Sequence, residues 1–171
     1  MKGSRTDPVD ELVAAWRTEL PEVALGPLEL SKRVARLTVL LDAVAAPELG
    51  RLGLTKAEYQ ILATLRSAGP PYRRRQNELA GSLLLSSGGT TNVVHRLVGA
   101  GLVVREPDPG DRRGSAVRLT DDGVARAEEA VLATNAAHAD LVARLGADTA
   151  DALTAALRDA LRTLDRPGHR V

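Results

Sequence analysis

The chain has 171 residues, of which 44% are hydrophobic and 26% are charged, an ordinary balance for a globular protein with a buried core. It contains no cysteine, which excludes disulfides, thiolate zinc sites and a thiol-based redox sensor. No apolar run approaches the roughly 18 residues that predict a membrane span. The first residues also lack the apolar core of a signal peptide, so we expect a cytoplasmic protein with no membrane partner.

Positive charge is concentrated in the middle of the chain, although the formal net charge is only +1. Between Arg73 and Arg118 there are eight arginines and four acidic residues, a local charge of +4, and the remainder carries −3. A basic segment between neutral or acidic flanks favours a module that binds a polyanion and is carried on a different kind of scaffold. A solvated charged surface would have the same composition.

The N-terminal third predicts two helices. Residues 8–20 form a short amphipathic segment that carries the only tryptophan, Trp16. A second apolar series with three- and four-residue steps predicts a longer helix over residues 28–46, separated from the first by Gly26-Pro27 and ending before Pro47. We assign residues 1–48 to an N-terminal helical region.

Three helices follow in the central part of the chain. Thr55 and Glu58 have the spacing of a capping box, so a helix is expected to begin there and to end before Gly69. Residues 76–84 predict a short helix, and the sequence Ser-Ser-Gly-Gly joins it to another at residues 87–100. Two short helices with a Gly/Ser joint form a helix-turn-helix.

The helix at 87–100 has two different faces. Val93, Val94, Leu97 and Val98 recur at helical spacing and are expected to face a core. The opposite face carries small or hydrogen-bonding groups, a composition suited to contacts with base edges, namely Gly88, Thr91, Asn92 and His95.

A β-hairpin is predicted after this helix. Gly101 stands where a helix C-terminus favours a residue that tolerates a left-handed backbone. Residues 102–106 and 115–120 are expected to pair across a loop at 107–114, whose tip carries Asp111, Arg112 and Arg113. A helix-turn-helix followed by a basic hairpin predicts a winged helix-turn-helix lobe over residues 49–122.

The last part of the chain is again helical. Thr120 is predicted to cap an alanine-rich helix that runs to about residue 145, and Gly146 separates it from a helix near 148–164. The helices on either side of the lobe are too thin to bury their apolar faces alone, so we expect them to pack against a second copy. The predicted fold is therefore mainly α with a small β-hairpin wing, and residues 123–171 are a C-terminal dimerisation region.

The segment Gly101–Gly123 resembles the wing of MarR-type transcriptional regulators. It contains that family's Asp-x-Arg at Asp111 and Arg113, followed by alternating apolar residues and Leu-Thr-x-x-Gly from Leu119 to Gly123. The resemblance implies a homodimer on double-stranded DNA, with each recognition helix in a major groove and each wing at a minor groove. It implies that Arg113 enters the minor groove, that Asp111 supports the wing by pairing with arginine, and that the operator is palindromic.

Within this framework we predict three kinds of DNA contact. Thr91, Asn92 and His95 are expected to contact bases, and Ser86, Ser87 and Thr90 to contact phosphates. Extra phosphate-binding charge is expected from the run Arg73, Arg74 and Arg75, although such a run is also compatible with a solvated surface. Arg112 at the tip of the wing is also expected to bind DNA. Arg96 either contacts phosphate or pairs with Asp111 or Asp108.

A small-molecule effector is a further expectation. Trp16 and the Pro-Pro-Tyr turn resemble the urate-responsive, PecS-like branch of the family. At the positions where that branch has an Asp and two Arg ligand residues, this chain has Gln60, Ser67 and Val93, so we do not expect urate. The effector would be a small aromatic or phenolic compound. Trp16 is either one wall of its pocket or an aromatic residue of the dimer core.

No enzymatic motif accompanies these features. The chain has no glycine-rich phosphate loop before a helix, no nucleophile elbow and no His-Glu-x-x-His sequence, so we expect neither catalysis nor a cofactor or metal. The predicted function is that of a homodimeric MarR-type repressor released by an effector. The alternative is a winged-helix module that binds protein and has no operator.

Overall fold

The computed structural model describes residues 6–83, 87–108 and 111–164, and the side chains of residues 82–83, 87–88 and 111–113 lie outside that description. The elements in chain order are α1 (Pro8–Glu19), α2 (Leu25–Arg51), α3 (Lys56–Ser67), β1 (Arg73–Arg75), α4 (Gln76–Leu83), α5 (Ser87–Gly99), β2 (Val103–Asp108), β3 (Asp111–Leu119), α6 (Asp121–Ala143) and α7 (Ala147–Leu164). The predicted fold class, mainly α with a small antiparallel sheet, is confirmed. Among the described ranges, no helix combines the length and the apolar character that a bilayer crossing requires. The chain divides into two compact units, one ending at Ala43 and one beginning at Val44.

The first unit is held together at the start of α1. The Asp7 carboxylate accepts hydrogen bonds from the backbone N–H groups of Val9, at 2.7 Å, and Asp10, at 3.2 Å. Arg33 on α2 pairs with Asp7 at 2.8 Å and with Asp10 at 2.6 Å. The hydrogen bond from Arg33 lowers the pKa of Asp7 below its ordinary value. One guanidinium thus joins α1 to α2.

Helix α2 is longer than predicted at both ends, because neither Gly26-Pro27 nor Pro47 terminates it. Pro27 lies in the first turn, where backbone N–H groups have no intrahelical partner in any case. Pro47 is exposed and removes one hydrogen bond, but Ala45 and Leu49 on either side of it are buried. Burial of those side chains keeps the last turn helical, and the predicted end before Pro47 is wrong.

The core of the second unit lies between α3, α5, α6 and the sheet. Ile61, Leu62 and Leu65 on α3 have no exposed surface, and they contact a cluster that includes Leu97 of α5 and Ala127 of α6. The predicted capping box at the start of α3 is confirmed, since Thr55 and Glu58 accept hydrogen bonds from each other's backbone N–H groups. Local capping therefore fixes where α3 begins, and core burial fixes which face it presents.

The sheet has three antiparallel strands in the order β1-β3-β2. The first strand, Arg73–Arg75, pairs with β3 and is not expected from its sequence. The hairpin strands also extend further than expected, because Asp108 pairs with Asp111 after a register shift that follows Pro107. Only residues 109–110 separate the two strands, so the predicted loop at 107–114 is wrong.

Two glycines and a threonine fix the junction between the sheet and its neighbouring helices. Gly101 has a φ of +72°, and the N–H of Leu102 donates to the Leu97 carbonyl at 3.0 Å, which ends α5 as predicted. The Thr120 hydroxyl accepts from the Gly123 N–H at 3.0 Å, which confirms Thr120 as the cap of α6. A Cβ on Gly123 would lie 1.9 Å from the Leu102 carbonyl oxygen. The close approach of β2 to α6 therefore requires glycine at position 123.

Candidate nucleic-acid interface

Helix α5 presents the two faces that its sequence predicts. Val93, Val94 and Leu97 are at most 6% exposed and belong to the core, whereas Asn92 and His95 are exposed. Val98 is expected in the core but is 39% exposed. It lies one residue before the end of α5, where no further turn covers it. The exposed side of α5 is consequently a polar surface backed by a rigid core.

Thr90 does not lie on that polar surface. Its side chain is fully buried, because it falls four residues before Val94 and seven before Leu97 on the same stripe of α5. A hydroxyl with no exposed surface cannot contact a phosphate. The predicted phosphate contact at Thr90 is therefore wrong.

Arg96 binds a partner that is distant in the sequence. Its Nε donates to Glu58 Oε1 at 2.9 Å, and Glu58 Oε2 accepts from the Thr55 backbone and hydroxyl at 2.8 and 2.7 Å. Burial raises the pKa of Glu58, but hydrogen bonds from Thr55 and Arg96 outweigh it and hold that pKa below the ordinary value. Arg96 thus ties α5 to the start of α3, and its described partner is Glu58 rather than Asp108. A pairing with Asp111, whose side chain lies outside the described residues, and a contact with phosphate stay predictions.

Thr91 connects three elements around the polar face. Gln76 at the start of α4 donates from Nε2 to the Thr91 hydroxyl oxygen at 2.8 Å. Arg105 on β2 donates from Nη2 to the Thr91 carbonyl oxygen at 3.4 Å. The Thr91 side chain is exposed but held in place, so it is a less adaptable contact than Asn92.

The arginine run lies on strand β1, where alternate residues point to opposite faces of the sheet. Arg73 lies 3.9 Å from Glu106, and Arg75 Nε lies 2.6 Å from Asp108 Oδ2. Arg74 between them is exposed. The central segment's excess of arginine is therefore partly neutralised within the protein, and less of it is available to an external polyanion than composition suggests.

Part of the predicted interface lies outside the described residues. Ser86 falls there entirely, as do the side chains of Ser87, Asp111, Arg112 and Arg113. The backbone places residues 111–113 at the start of β3, next to the end of the hairpin. Their roles as phosphate, minor-groove and wing-supporting residues stay predictions.

The candidate effector residues are distributed over both units. Trp16 is 39% exposed on α1 in the first unit. In the second unit, Gln60 is half-buried on α3 and the Ser67 hydroxyl donates to the Thr64 carbonyl at 3.0 Å. Val93 is only 6% exposed, and its side chain contributes to the core rather than to an open surface.

Sequence reasoning missed the roles of the two acids that organise this surface, Glu58 and Asp108. The sequence identifies Glu58 only as part of a capping box. In the structure its Oε2 accepts a hydrogen bond from the Thr55 backbone N–H, while its Oε1 accepts one from Arg96. Asp108 falls in the predicted loop, whereas it is 9% exposed at the end of β2. An acid at a strand end facing an arginine-rich strand is the signal that could have identified the second pair.

Comparisons with known proteins agree on one family. A family model described as MarR family matches residues 52–114. The chain is 32% identical over 117 residues to the HTH-type transcriptional regulator PecS of Dickeya dadantii, which covers 68% of this chain and 70% of that relative. The relatives found are transcriptional regulators rather than enzymes.

Solved structures give the same result. A point mutant of MarR from E. coli in complex with operator DNA superposes with a TM-score of 0.70 at 27% identity, covering 85% of this chain and 97% of that chain. NadR in complex with 4-hydroxyphenylacetate has a TM-score of 0.66 at 23% identity, covering 80% and 92%, and shows the shared fold. The resemblance seen in the wing motif is therefore confirmed: the chain belongs to the MarR family and is a DNA-binding transcriptional regulator of that type.

Proposed function

We propose that two copies of this chain form a repressor that binds a palindromic operator. Helix α5 enters the major groove, and the β2–β3 wing lies at the neighbouring minor groove. The observation that carries the proposal is the exposed polar face of α5, fixed to α3 by Arg96 and Glu58 at 2.9 Å. The operator complex of the similar E. coli MarR mutant supports it.

Base contacts come from the exposed residues of α5. The Asn92 amide has the donor and acceptor that match the N6 and N7 groups of adenine, and His95 can donate to a purine acceptor. Thr91 adds a contact from a hydroxyl that Gln76 already orients. Specificity is therefore assigned mainly to Asn92 and His95.

Affinity that does not depend on sequence comes from residues around α5. Arg74, exposed on β1, supplies phosphate-binding charge, as do Ser86 and Ser87 through their hydroxyls. Arg112 and Arg113 belong to the wing, and Arg113 is assigned to the minor groove, where a narrow groove concentrates negative potential. Asp111 supports the wing.

The terminal helices form the dimer. They expose large apolar side chains that a soluble monomer would leave in contact with water. Those more than half exposed are Leu30, Val39, Leu132, Leu161 and Leu164. The dimerisation regions are residues 1–48 and 123–171, and the lobe that binds DNA is residues 49–122.

An effector regulates the distance between the two recognition helices. It can do so only if it binds one spacing more tightly than the other. The proposed effector is a small aromatic or phenolic compound that binds in a pocket with Trp16 as one wall. NadR, which shares the fold, was solved in complex with 4-hydroxyphenylacetate. Fluorescence of the only tryptophan gives a direct readout. A compound that quenches it, raises the melting temperature and releases DNA supports this assignment.

Gel mobility of a duplex from the chain's own upstream region tests operator binding. The repressor predicts a shift that weakens steeply between about 50 and 200 mM salt, whereas a protein-binding winged helix predicts no shift at either salt. Asn92→Ala should lose about 1–3 kcal/mol of binding free energy through loss of one base contact. Asn135→Ala, an exposed amide on α6, is the matched control and should bind as the wild type does.

A second pair of variants tests the wing. Arg113→Ala should weaken operator binding strongly while the dimer stays intact, because it removes the minor-groove cation. Arg158→Ala removes the same charge from exposed α7 and should leave affinity unchanged. Equal affinities for the two variants would contradict the wing assignment.

A further inference from the structure

Arg75 and Asp108 form an ion pair at the place where strand β1 meets the base of the wing. Arg75 Nε lies 2.6 Å from Asp108 Oδ2. We propose that this pair positions the wing relative to the helix-turn-helix, and that Arg75 contributes to operator binding through Asp108 rather than through phosphate. The inference deepens the DNA-binding function proposed above and rests on it.

The two partners of the pair are buried to different extents. The Asp108 side chain is 7% exposed, whereas that of Arg75 is 50% exposed. Taking one compensating group away from a nearly buried charge costs more than losing an exposed pair. The carboxylate is therefore a fixed point in the protein, and the guanidinium is held to it.

Asp108 lies where the hairpin changes direction. The register of β2 against β3 shifts between Pro107 and Asp108, and Asp108 then pairs with Asp111 at the start of β3. Such irregularities bend a strand and change the direction of the residues beyond it. A contact at this residue consequently acts on the orientation of the hairpin end, which carries Arg112 and Arg113.

Arg75 connects the other side of the contact to the helix-turn-helix. Its backbone N–H donates to Glu78 Oε2 in the first turn of α4, at 3.1 Å, and its Cα lies opposite Ala116 of β3. One residue thus contacts α4, β3 and β2. Breaking the Asp108 contact would allow the wing to move relative to α4 without unfolding either element.

The positioning role and simple electrostatics predict opposite changes in DNA affinity when Asp108 is substituted. Asp108→Ala removes a negative charge, which by charge alone would tighten binding to DNA. If Asp108 positions the wing, the same substitution weakens binding. The sign of the change therefore separates the two explanations.

The experiment measures operator affinity over a range of salt concentrations for the wild type, Arg75→Ala, Asp108→Ala and the double variant. We expect each single variant to bind about tenfold more weakly and the double variant to bind no worse than either, because the two residues act as a unit. Arg74→Ala is the matched control. The Arg74→Ala variant should bind the operator more weakly, and its affinity should fall less steeply with salt, by the amount expected for the loss of about one phosphate contact. Asp108→Ala should leave the salt dependence of the affinity unchanged.

Asp108→Asn keeps the shape of the side chain and guards against a variant that fails to fold. Amide hydrogen exchange without DNA gives a second readout, and we expect faster exchange in β2 and β3 but not in α3 for the Asp108 and Arg75 variants. Wild-type or tighter affinity of both Asp108 variants, with unchanged exchange, would overturn the inference and leave the proposed function standing. Failure of the wild type to bind the operator would overturn the proposed function, and exchange alone would then decide whether the pair holds the wing.

Discussion

Helices α3 and α7 both carry large aliphatic residues at helical spacing but bury them to opposite extents. Ile61, Leu62 and Leu65 on α3 have no exposed surface. On α7 no residue is buried, and Leu161 and Leu164 are 57% and 58% exposed. Periodicity thus predicts that a helix has an apolar face, but it does not say whether the same chain supplies the cover.

The two helices differ in the residues that the chain places next to them. In the core of the second unit, α3 contacts residues of α5, α6 and the sheet, including Val94, Val117 and Ala127. Within the described ranges, no residue of α7 belongs to that core. We therefore expect the structure around α3 to be stable within one chain and the α7 face to be completed by a second copy.

The largest effect should come from a cavity beside α3. Leu62→Ala should lower the free energy of unfolding by about 3 kcal/mol, since the side chain is completely buried. Urea denaturation measures the loss, which should not depend on protein concentration. A loss below about 1 kcal/mol would show that this region is not the rigid core.

The junction between β2 and α6 should be almost as sensitive. Gly123→Ala places a methyl group against the Leu102 carbonyl oxygen, and we expect a loss of about 2 kcal/mol. Gly99→Ala is the matched control because a Cβ there would meet nothing within 4 Å. The control should be neutral or stabilise α5 by about 0.5–1 kcal/mol. Similar melting temperatures for the two variants would contradict the close approach.

On α7 the expected effect concerns association rather than folding. Leu161→Asp places a charge on the exposed apolar face and should weaken the dimer at least about tenfold, because a charge at an interface core is costly. Sedimentation at several concentrations measures the change. Asp151→Asn, another exposed residue of α7, should leave the dimer intact. Unchanged association of Leu161→Asp would exclude α7 from the interface.

The smallest effect depends on pH. Because the pKa of Glu58 is lowered in the folded chain, its stabilisation is complete above its unfolded value near 4.5 and is lost as the pH falls through the folded pKa. Glu58→Gln should therefore reduce the acid dependence of stability by about 1 kcal/mol between about pH 7 and pH 3. Asp7, whose pKa is also lowered, should keep part of that dependence. Denaturation midpoints across this range provide the test, and identical slopes in both proteins would contradict it.

Signals within one turn of a helix are sufficient to predict the caps at Thr55 and Thr120 and the turn at Gly101. They are local, so the partner of each group is only a few residues away. The end of α2 is not predictable in this way, because burial of Leu49 overrides the effect of Pro47. Tertiary contacts decide such cases.

Long-range partners could not be deduced from the sequence. Arg96 and Glu58 are 38 residues apart, and nothing local selects that acid over Asp108 or Asp111. Strand β1 has three consecutive arginines and no alternating pattern, so only its pairing with β3 makes it a strand. The polar face of α5 is predictable, whereas the contacts that hold it are not.

Native mass spectrometry of the protein with a duplex from its own upstream region tests the central claim most directly, since it counts chains and detects DNA binding together. We predict a complex of one duplex with two 18.1 kDa chains, and its loss in Leu161→Asp under the same conditions. A complex with a single chain would contradict the role of the terminal helices. If no complex with the duplex forms, the proposal that the protein binds an operator in this region is contradicted.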